Sequence, residues 1–228
     1  VSQLCTKIKL KNNYLSTIEH LMSALSGLEI TNLTITTNSS EMPILDGSAK
    51  DFIETILSSG LKEQKKSKKI LKIKKKITYS QNNKFIEIEP NQNNGLSIDC
   101  TIDYKDDFIK KQSFFYEHSF QNYNQIYKAR TFCLHKDLAK IFAMGLGKGG
   151  SLDNAIIVSG NKILNQGGLR YENEFVKHKV LDCIGDLYLA EYPIFGKVKT
   201  LGGGHELNLM LLREIFKDKK NYEIIDLN

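Results

Sequence analysis

The stretch KHKVLDCIGD, residues 177–186, sets His178, Asp182 and Asp186 at intervals of four. On an α-helix, residues four apart lie on one face about one turn apart. A helix here therefore aligns an imidazole and two carboxylates in one stripe. Imidazole nitrogen and carboxylate oxygen are both good zinc ligands, so His178 and Asp182 can reach one ion together. A buried, hydrogen-bonded histidine on an ordinary helix explains the same letters, and the stripe alone leaves both readings open.

Two further patterns bear on it. STIEHL, residues 16–21, puts Glu19 beside His20. Adjacent side chains diverge by about 100° on a helix, so both do not readily bind one ion. One can ligate while the other handles a water, as glutamate does in HExxH helices with the order reversed; an exposed Glu–His pair is the plain alternative. GGGHELN places His205 after three glycines at a helix start. Glycine lets backbone crowd a ligand, and the helix dipole lowers a histidine pKa there unless a carboxylate opposes it. Asp186 is the candidate opponent. Two histidines and an aspartate make an open three-ligand zinc site with a place left for water. His118 and His135 have no such partners in sequence and read as core or surface residues. The glycine-rich GLGKGGSLDNA, 145–155, matches neither a Walker loop nor a dinucleotide fingerprint.

The elements that must position these groups follow from periodicity. LCTKIKL reads as a strand. Ser16 or Thr17 caps a helix with apolar Ile18, Leu21, Met22 and Leu25, which stops at Gly27. NLTITT (32–37) reads as a short strand, and MPILDGSAKDFIETILSSG as a loop and second helix ending near Gly60. From Ile70 the period becomes two: ILKIKKKITYS, KFIEIEP, GLSIDCTIDY and KQSFFYEHSF read as successive strands of an antiparallel sheet. YNQIYKA is a short helix. The segment around 130–158 holds a helix, a glycine-rich turn and a buried strand. ENEFVKHKVLDCIGDLYLAEY is the longest helix, GKVKT a strand and GGHELNLMLLREIFK a last helix. The expected class is α+β. Residues 1–61 read as a first unit, domain I, 62–69 as a lysine-rich linker and 70–228 as domain II, both halves a sheet followed by two helices.

The 228 residues allow one large domain or two small ones with a real core. No apolar run reaches the ~18 residues a membrane helix needs, and no signal-peptide pattern opens the chain. Four scattered cysteines without a CxxC pair fit reduced thiols and a cytoplasmic protein. Residues 62–76 hold nine lysines and one glutamate, a charge of +8 against a chain total of +6, so the remainder carries −2. Such a run suits nucleic acid or an anionic surface, but equally a solvated linker and protected strand edge.

STIEHLMSALSGLEITNL, EMPILDGSAKDFI, RTFCLHKDL, GGSLDNAIIV, GLRYENEFVKHKVLDCIGDLYL and GHELNLMLL resemble, in order, the UDP-3-O-acyl-N-acetylglucosamine deacetylases, zinc amidases of lipid A synthesis. The resemblance runs through nearly the whole chain. It implies a two-layer β-α-α-β sandwich repeated twice, with the active site between the domains. It implies His20, His178 and Asp182 as metal ligands for Zn2+, with Fe2+ as the other candidate ion, and Glu19 as the base acting on the attacking water. Charged His205, oriented by Asp186, would stabilise the oxyanion and protonate the leaving amine, with Thr131 as a further oxyanion donor. Lys179 would meet the anionic part of the substrate; Phe132, Leu138, Leu152 and Ile157 would line its acyl chain. The implied partner is a UDP-linked acylated amino sugar, handled by a monomer without stable membrane insertion or nucleic acid.

Two departures accompany the resemblance. The family pattern begins well upstream, with further strands and a GVGLH-type motif, so domain I is expected to be incomplete at its N-terminus; a valine in first place fits an internal GTG start. A basic residue often found two places before the Gly-His pair is Gly202 here, which moves phosphate binding toward Lys179 or another lysine. Two readings from other classes stand beside the enzyme: a truncated, non-catalytic fragment that binds ligand or partner, and a nucleic-acid binder acting through the lysine run. The run has no interleaved aromatics, which weighs against the last.

Overall fold

The computed structural model describes residues 4–227; the reading made on Val1 lies outside the described residues. The hairpin β1 (Lys7–Leu10) and β2 (Asn13–Ser16) leads into α1 (Glu19–Gly27), and a long loop precedes α2 (Lys50–Ser59). Next come β3 (Lys68–Ile73), β4 (Ile77–Gln81), β5 (Lys84–Glu89), β6 (Leu96–Asp103) and β7 (Lys111–Glu117). A smaller unit holds β8 (Phe132–Leu134), α3 (Leu138–Ala143), β9 (Ile156–Ser159) and β10 (Lys162–Ile163). Then follow α4 (Glu174–Leu187), β11 (Ile194–Leu201), α5 (His205–Phe216) and β12 (Tyr222–Leu227). The class is α+β, as the periodicity implied.

The large sheet has seven strands, but it is mixed rather than antiparallel. β4–β5 and β6–β7 are the expected antiparallel hairpins. β11 enters between them, antiparallel to β5 and parallel to β6, and its first residues also run parallel to β3. It follows α4, and a helical crossover is what permits parallel pairing. The stretch ILKIKKKITYS is two strands, β3 and β4. NLTITT forms no strand: residues 31–37 are exposed, and their alternation finds no ladder partner among the described residues. The C-terminal YEIIDL, passed over in the sequence, is β12, antiparallel to β3. This pairing takes up Lys68 and Lys69, so β3 begins inside the stretch expected as linker.

The supposed Ser16/Thr17 cap is also corrected. Ile18 occupies the cap position without a side-chain hydrogen bond. Ser16 Oγ instead donates to the Ser40 carbonyl and Thr17 Oγ1 to Glu41, tying the strand end to the loop. In the lysine run, Lys68, Lys74, Lys75 and Lys76 face Glu29, Glu223, Asp218 and Glu87, so part of its charge is balanced within the fold.

α4 is the axis of the molecule. Phe175, Val176, Val180, Leu181, Cys183, Ile184 and Leu187 are all buried in the main core. The helix packs on β6 and β7, against α5, and against α1. Its polar stripe is buried as well, so whatever holds those groups lies at the junction of α1, α4 and α5.

Candidate active site

Three helices carry the candidate groups. α1 opens with Glu19 and His20, α4 carries His178, Lys179, Asp182 and Asp186, and α5 opens with His205. Gly185 brings α1 onto α4: a Cβ there would lie 2.0 Å from the Glu19 carbonyl oxygen.

His20, His178 and Asp182 each offer a ligand atom, all within 4.8 Å of one another. His178 Nδ1 lies 3.0 Å from the Ala129 carbonyl oxygen, which can only accept, so Nδ1 bears the proton and Nε2 a lone pair. Burial presses the His178 pKa down to about 3, which keeps the ring neutral. Its Nε2 stands 3.3 Å from Asp182 Oδ1, and His20 Nε2 stands 3.7 Å from the same oxygen. Asp182 Oδ1 and His20 Nδ1 are buried without a hydrogen-bond partner. The His178 lone pair and the unpartnered Asp182 Oδ1 face one another across a buried gap, which calls for a cation, and the donor set of two imidazoles and a carboxylate fits a metal ion. Burial would raise Asp182, but the Lys179 and His205 charges beside it outweigh that and hold the carboxyl well below its usual range. Lys179 Nζ donates to Asp182 Oδ2 at 2.8 Å and lies over the Phe132 ring. Burial disfavours its charge, yet Asp182 raises its pKa overall.

Across the trio sit a second carboxylate and a third imidazole. Glu19 is raised above the usual carboxylate range by burial, against the pull of His205 and His20. Burial alone would lower His205, but Asp186, Asp182 and Glu19 bring it up to about 10. The expected opposition to the helix dipole is therefore in place: His205 Nδ1 donates to Asp186 Oδ2 at 2.9 Å. His205 Nε2 faces Glu19 Oε1 at 3.8 Å and Asp182 Oδ2 at 3.9 Å.

The remaining candidates sit farther out. The backbone N–H of Thr131 donates to the Gly47 carbonyl and its own carbonyl accepts from Ile156, which leaves its hydroxyl without a hydrogen-bond partner among the described residues. Phe132, on β8, has its ring 6.2 Å from that of His178 and links the small sheet to the trio. Ile157 is buried on β9, Leu138 opens α3, and Leu152 is exposed in the loop before β9. His118, which looked partnerless in sequence, contacts Ser26 and Tyr116. His135 is exposed.

Matched as a whole, residues 1–217 fit the family model of UDP-3-O-acyl N-acetylglycosamine deacetylase. The chain belongs to that family. It is 43% identical over 227 residues to the UDP-3-O-acyl-N-acetylglucosamine deacetylase of Campylobacter lari, covering 99% of this chain and 76% of the relative. The deacetylase of the same name from Campylobacter jejuni strain RM1221 is 42% identical with the same coverage, and that of a Psychrobacter species 42% identical over 92% of this chain and 71% of the relative.

Several supporting residues of this deacetylase-family site escaped the sequence reading. Arg130 and Glu174 form a buried pair, Nε to Oε1 at 2.9 Å, and the Arg130 N–H also donates to Glu174. This fixes the backbone beside Ala129, the acceptor for His178. Asn208 donates to Asp186 Oδ2 at 2.8 Å. It sits three residues after His205, a spacing that marks a shared helix face. Gly185, a glycine inside a helix, carried the signal of a close approach. Thr6, between α1 and Asp186, carried none.

Proposed function

We propose that this protein is a zinc-dependent amidase that hydrolyses the acetamide of UDP-3-O-((R)-3-hydroxyacyl)-N-acetylglucosamine to the free amine and acetate, an early committed step of lipid A biosynthesis. Membership of the family supports the substrate. The observation that carries the chemistry is the buried His20–His178–Asp182 trio faced by Glu19 and His205.

His20, His178 and Asp182 would hold the metal; their donor chemistry fits Zn2+ and also Fe2+. When bound, such an ion supplies Lewis acidity that polarises the amide carbonyl and makes water a better nucleophile near neutral pH. Glu19 takes the proton from the attacking water. Its raised pKa brings it nearer the range useful to a base. His205 is charged near neutral pH; it offsets the negative charge on the carbonyl oxygen and gives its proton to the departing amine. The two groups thus divide base and acid work through environments that separate their protonation states. Asp186 orients His205, and the Thr131 hydroxyl is free to donate to the oxyanion. Lys179, beside Asp182, serves the anionic side of the substrate. Phe132, Leu138, Leu152 and Ile157 line the acyl chain, where exposed Phe142 and Met144 extend the apolar surface. The two domains are residues 1–61 and the part that begins with β3 at Lys68, joined by the lysine-rich stretch between them, and the protein works as a cytoplasmic monomer. No helix among the described residues is long and apolar enough to cross a membrane.

The test is acetate release from this substrate by metal-loaded protein, with Glu19→Ala beside it. Wild-type turnover with a ~10²–10⁴-fold lower kcat in the variant, at unchanged metal content, is the expected result. A loaded, folded wild type that releases no acetate overturns the reading.

A further inference from the structure

The proposed base and acid come from different helices, and one residue outside those helices touches both. Thr6 is fully buried just before β1. Its backbone N–H donates to Glu19 Oε2 at 3.0 Å. Its hydroxyl donates to Asp186 Oδ1 at 2.5 Å and lies 3.4 Å from His205 Nδ1. The Thr6 carbonyl in turn accepts from Ile18 N–H at the start of α1.

These contacts divide the two carboxylates by oxygen. On Glu19, Oε2 is occupied by Thr6 and Oε1 is turned toward His205 Nε2. On Asp186, Oδ1 is occupied by Thr6 and Oδ2 receives His205 and Asn208. Rotation of either carboxylate would break its bond to Thr6. All three residues are buried, so such lost bonds are costly.

We propose that Thr6 is a positioning residue for the deacetylation, setting the base through its amide and the acid through its hydroxyl. This rests on the functional reading above, in which Glu19 and His205 are base and acid. The division of labour makes the proposal separable from simple packing. Thr6→Val keeps the shape and the amide bond to Glu19 and deletes the hydroxyl's contacts with Asp186 and His205. Thr6→Ser keeps both bonds and loses a methyl group.

The experiment compares wild type, Thr6→Val and Thr6→Ser, metal-loaded, on UDP-3-O-acyl-N-acetylglucosamine. Thr6→Val is expected to lose roughly 10–100-fold in kcat, the size of effect known for outer partners of a site. KM should stay within about twofold, because the lost interaction acts in the transition state. Metal stoichiometry should not change, and Thr6→Ser should recover most of the rate. A wild-type kcat in Thr6→Val, or a Thr6→Ser variant as slow as Thr6→Val, overturns the proposal. A second readout needs no turnover: in the NMR spectrum of the wild type, the Thr6 hydroxyl proton should be protected from exchange and close to the His205 ring. Its absence overturns the proposal even where Thr6→Val does not fold. A wild type that shows this proton but no acetate release overturns the functional reading and leaves the Thr6 contact standing.

Discussion

Gly185 and Glu19 meet backbone to backbone: a side chain on Gly185 would place its first carbon 2.0 Å from the Glu19 carbonyl oxygen and 3.1 Å from the Ser23 nitrogen. The contact is with backbone on both counts, so no rotamer change relieves it. Gly185→Ala must push α1 away from α4, and with it Glu19 and His20 away from Asp182. A helix-interior Gly→Ala exchange ordinarily stabilises by up to about 1 kcal/mol. Here the expected sign is reversed, with a loss of roughly 1–3 kcal/mol from overpacking and weaker metal binding. Urea denaturation and metal titration check both; a variant as stable as the wild type with full metal affinity refutes the close approach.

Asp182 is held anionic by its neighbours and presents an unpartnered oxygen to two imidazoles. Asp182→Asn keeps the shape and removes the charge. The expected outcome is a loss of metal affinity beyond the roughly 10–100-fold that outer partners contribute, together with a Lys179 ammonium stripped of its 2.8 Å anion. Metal content after dialysis against a graded chelator series reads the first effect. Retention equal to the wild type would remove Asp182 from the ligand set.

The polar groups that meet at the junction of α1, α4 and α5 were legible because helix spacing is rigid. Intervals of four on 178–186, a Glu–His pair at a helix start and a histidine after three glycines survive translation into three dimensions with little help from context. Pairing partners were not legible in this way. The alternating NLTITT has strand letters but no neighbour to pair with, while YEIIDL became β12 because β3 offers it an edge. The parallel entry of β11 between β5 and β6 depends on the crossover of α4, which period-two reading cannot register. Thr6 is the extreme case: its type is unremarkable, and its partners lie 13, 180 and 199 residues away.

Glu174 is fully buried and accepts from the Arg130 backbone and guanidinium and from the Arg170 N–H. Glu174→Ala leaves the Arg130 charge, among the described residues, with the Gly168 carbonyl alone. Breaking a buried pair in this way destabilises by roughly 3–5 kcal/mol. Because the same bonds hold the chain next to Ala129, metal affinity should fall too, by about 10–100-fold through the loosened His178. A chemical-denaturation midpoint and a competitive metal titration on the same sample separate the two effects. A stability loss with unaltered affinity would show that Ala129 keeps its place without the ion pair.

His118 gives a pH dependence away from the metal trio. Its Nε2 lies 3.0 Å from Ser26 Oγ on α1 and its Nδ1 3.4 Å from the Tyr116 hydroxyl, so it joins α1 to the end of β7. Burial lowers its pKa from 6.5 to about 4, with Glu29 pulling upward and Lys68 downward. Between these values the unfolded chain binds the proton and the folded one does not. The contribution of His118 is therefore complete above pH 6.5 and is lost as pH falls toward 4, with a slope of at most about 1.4 kcal/mol per pH unit. His118→Gln keeps hydrogen-bonding capacity without the titration, so its stability should decline less steeply than the wild type's across this window. Carboxylates contribute equally to both proteins, and the difference between their urea midpoints from pH 7 to pH 4.5 isolates the histidine. Parallel curves would mean that His118 takes up its proton in the folded state as readily as in the unfolded one.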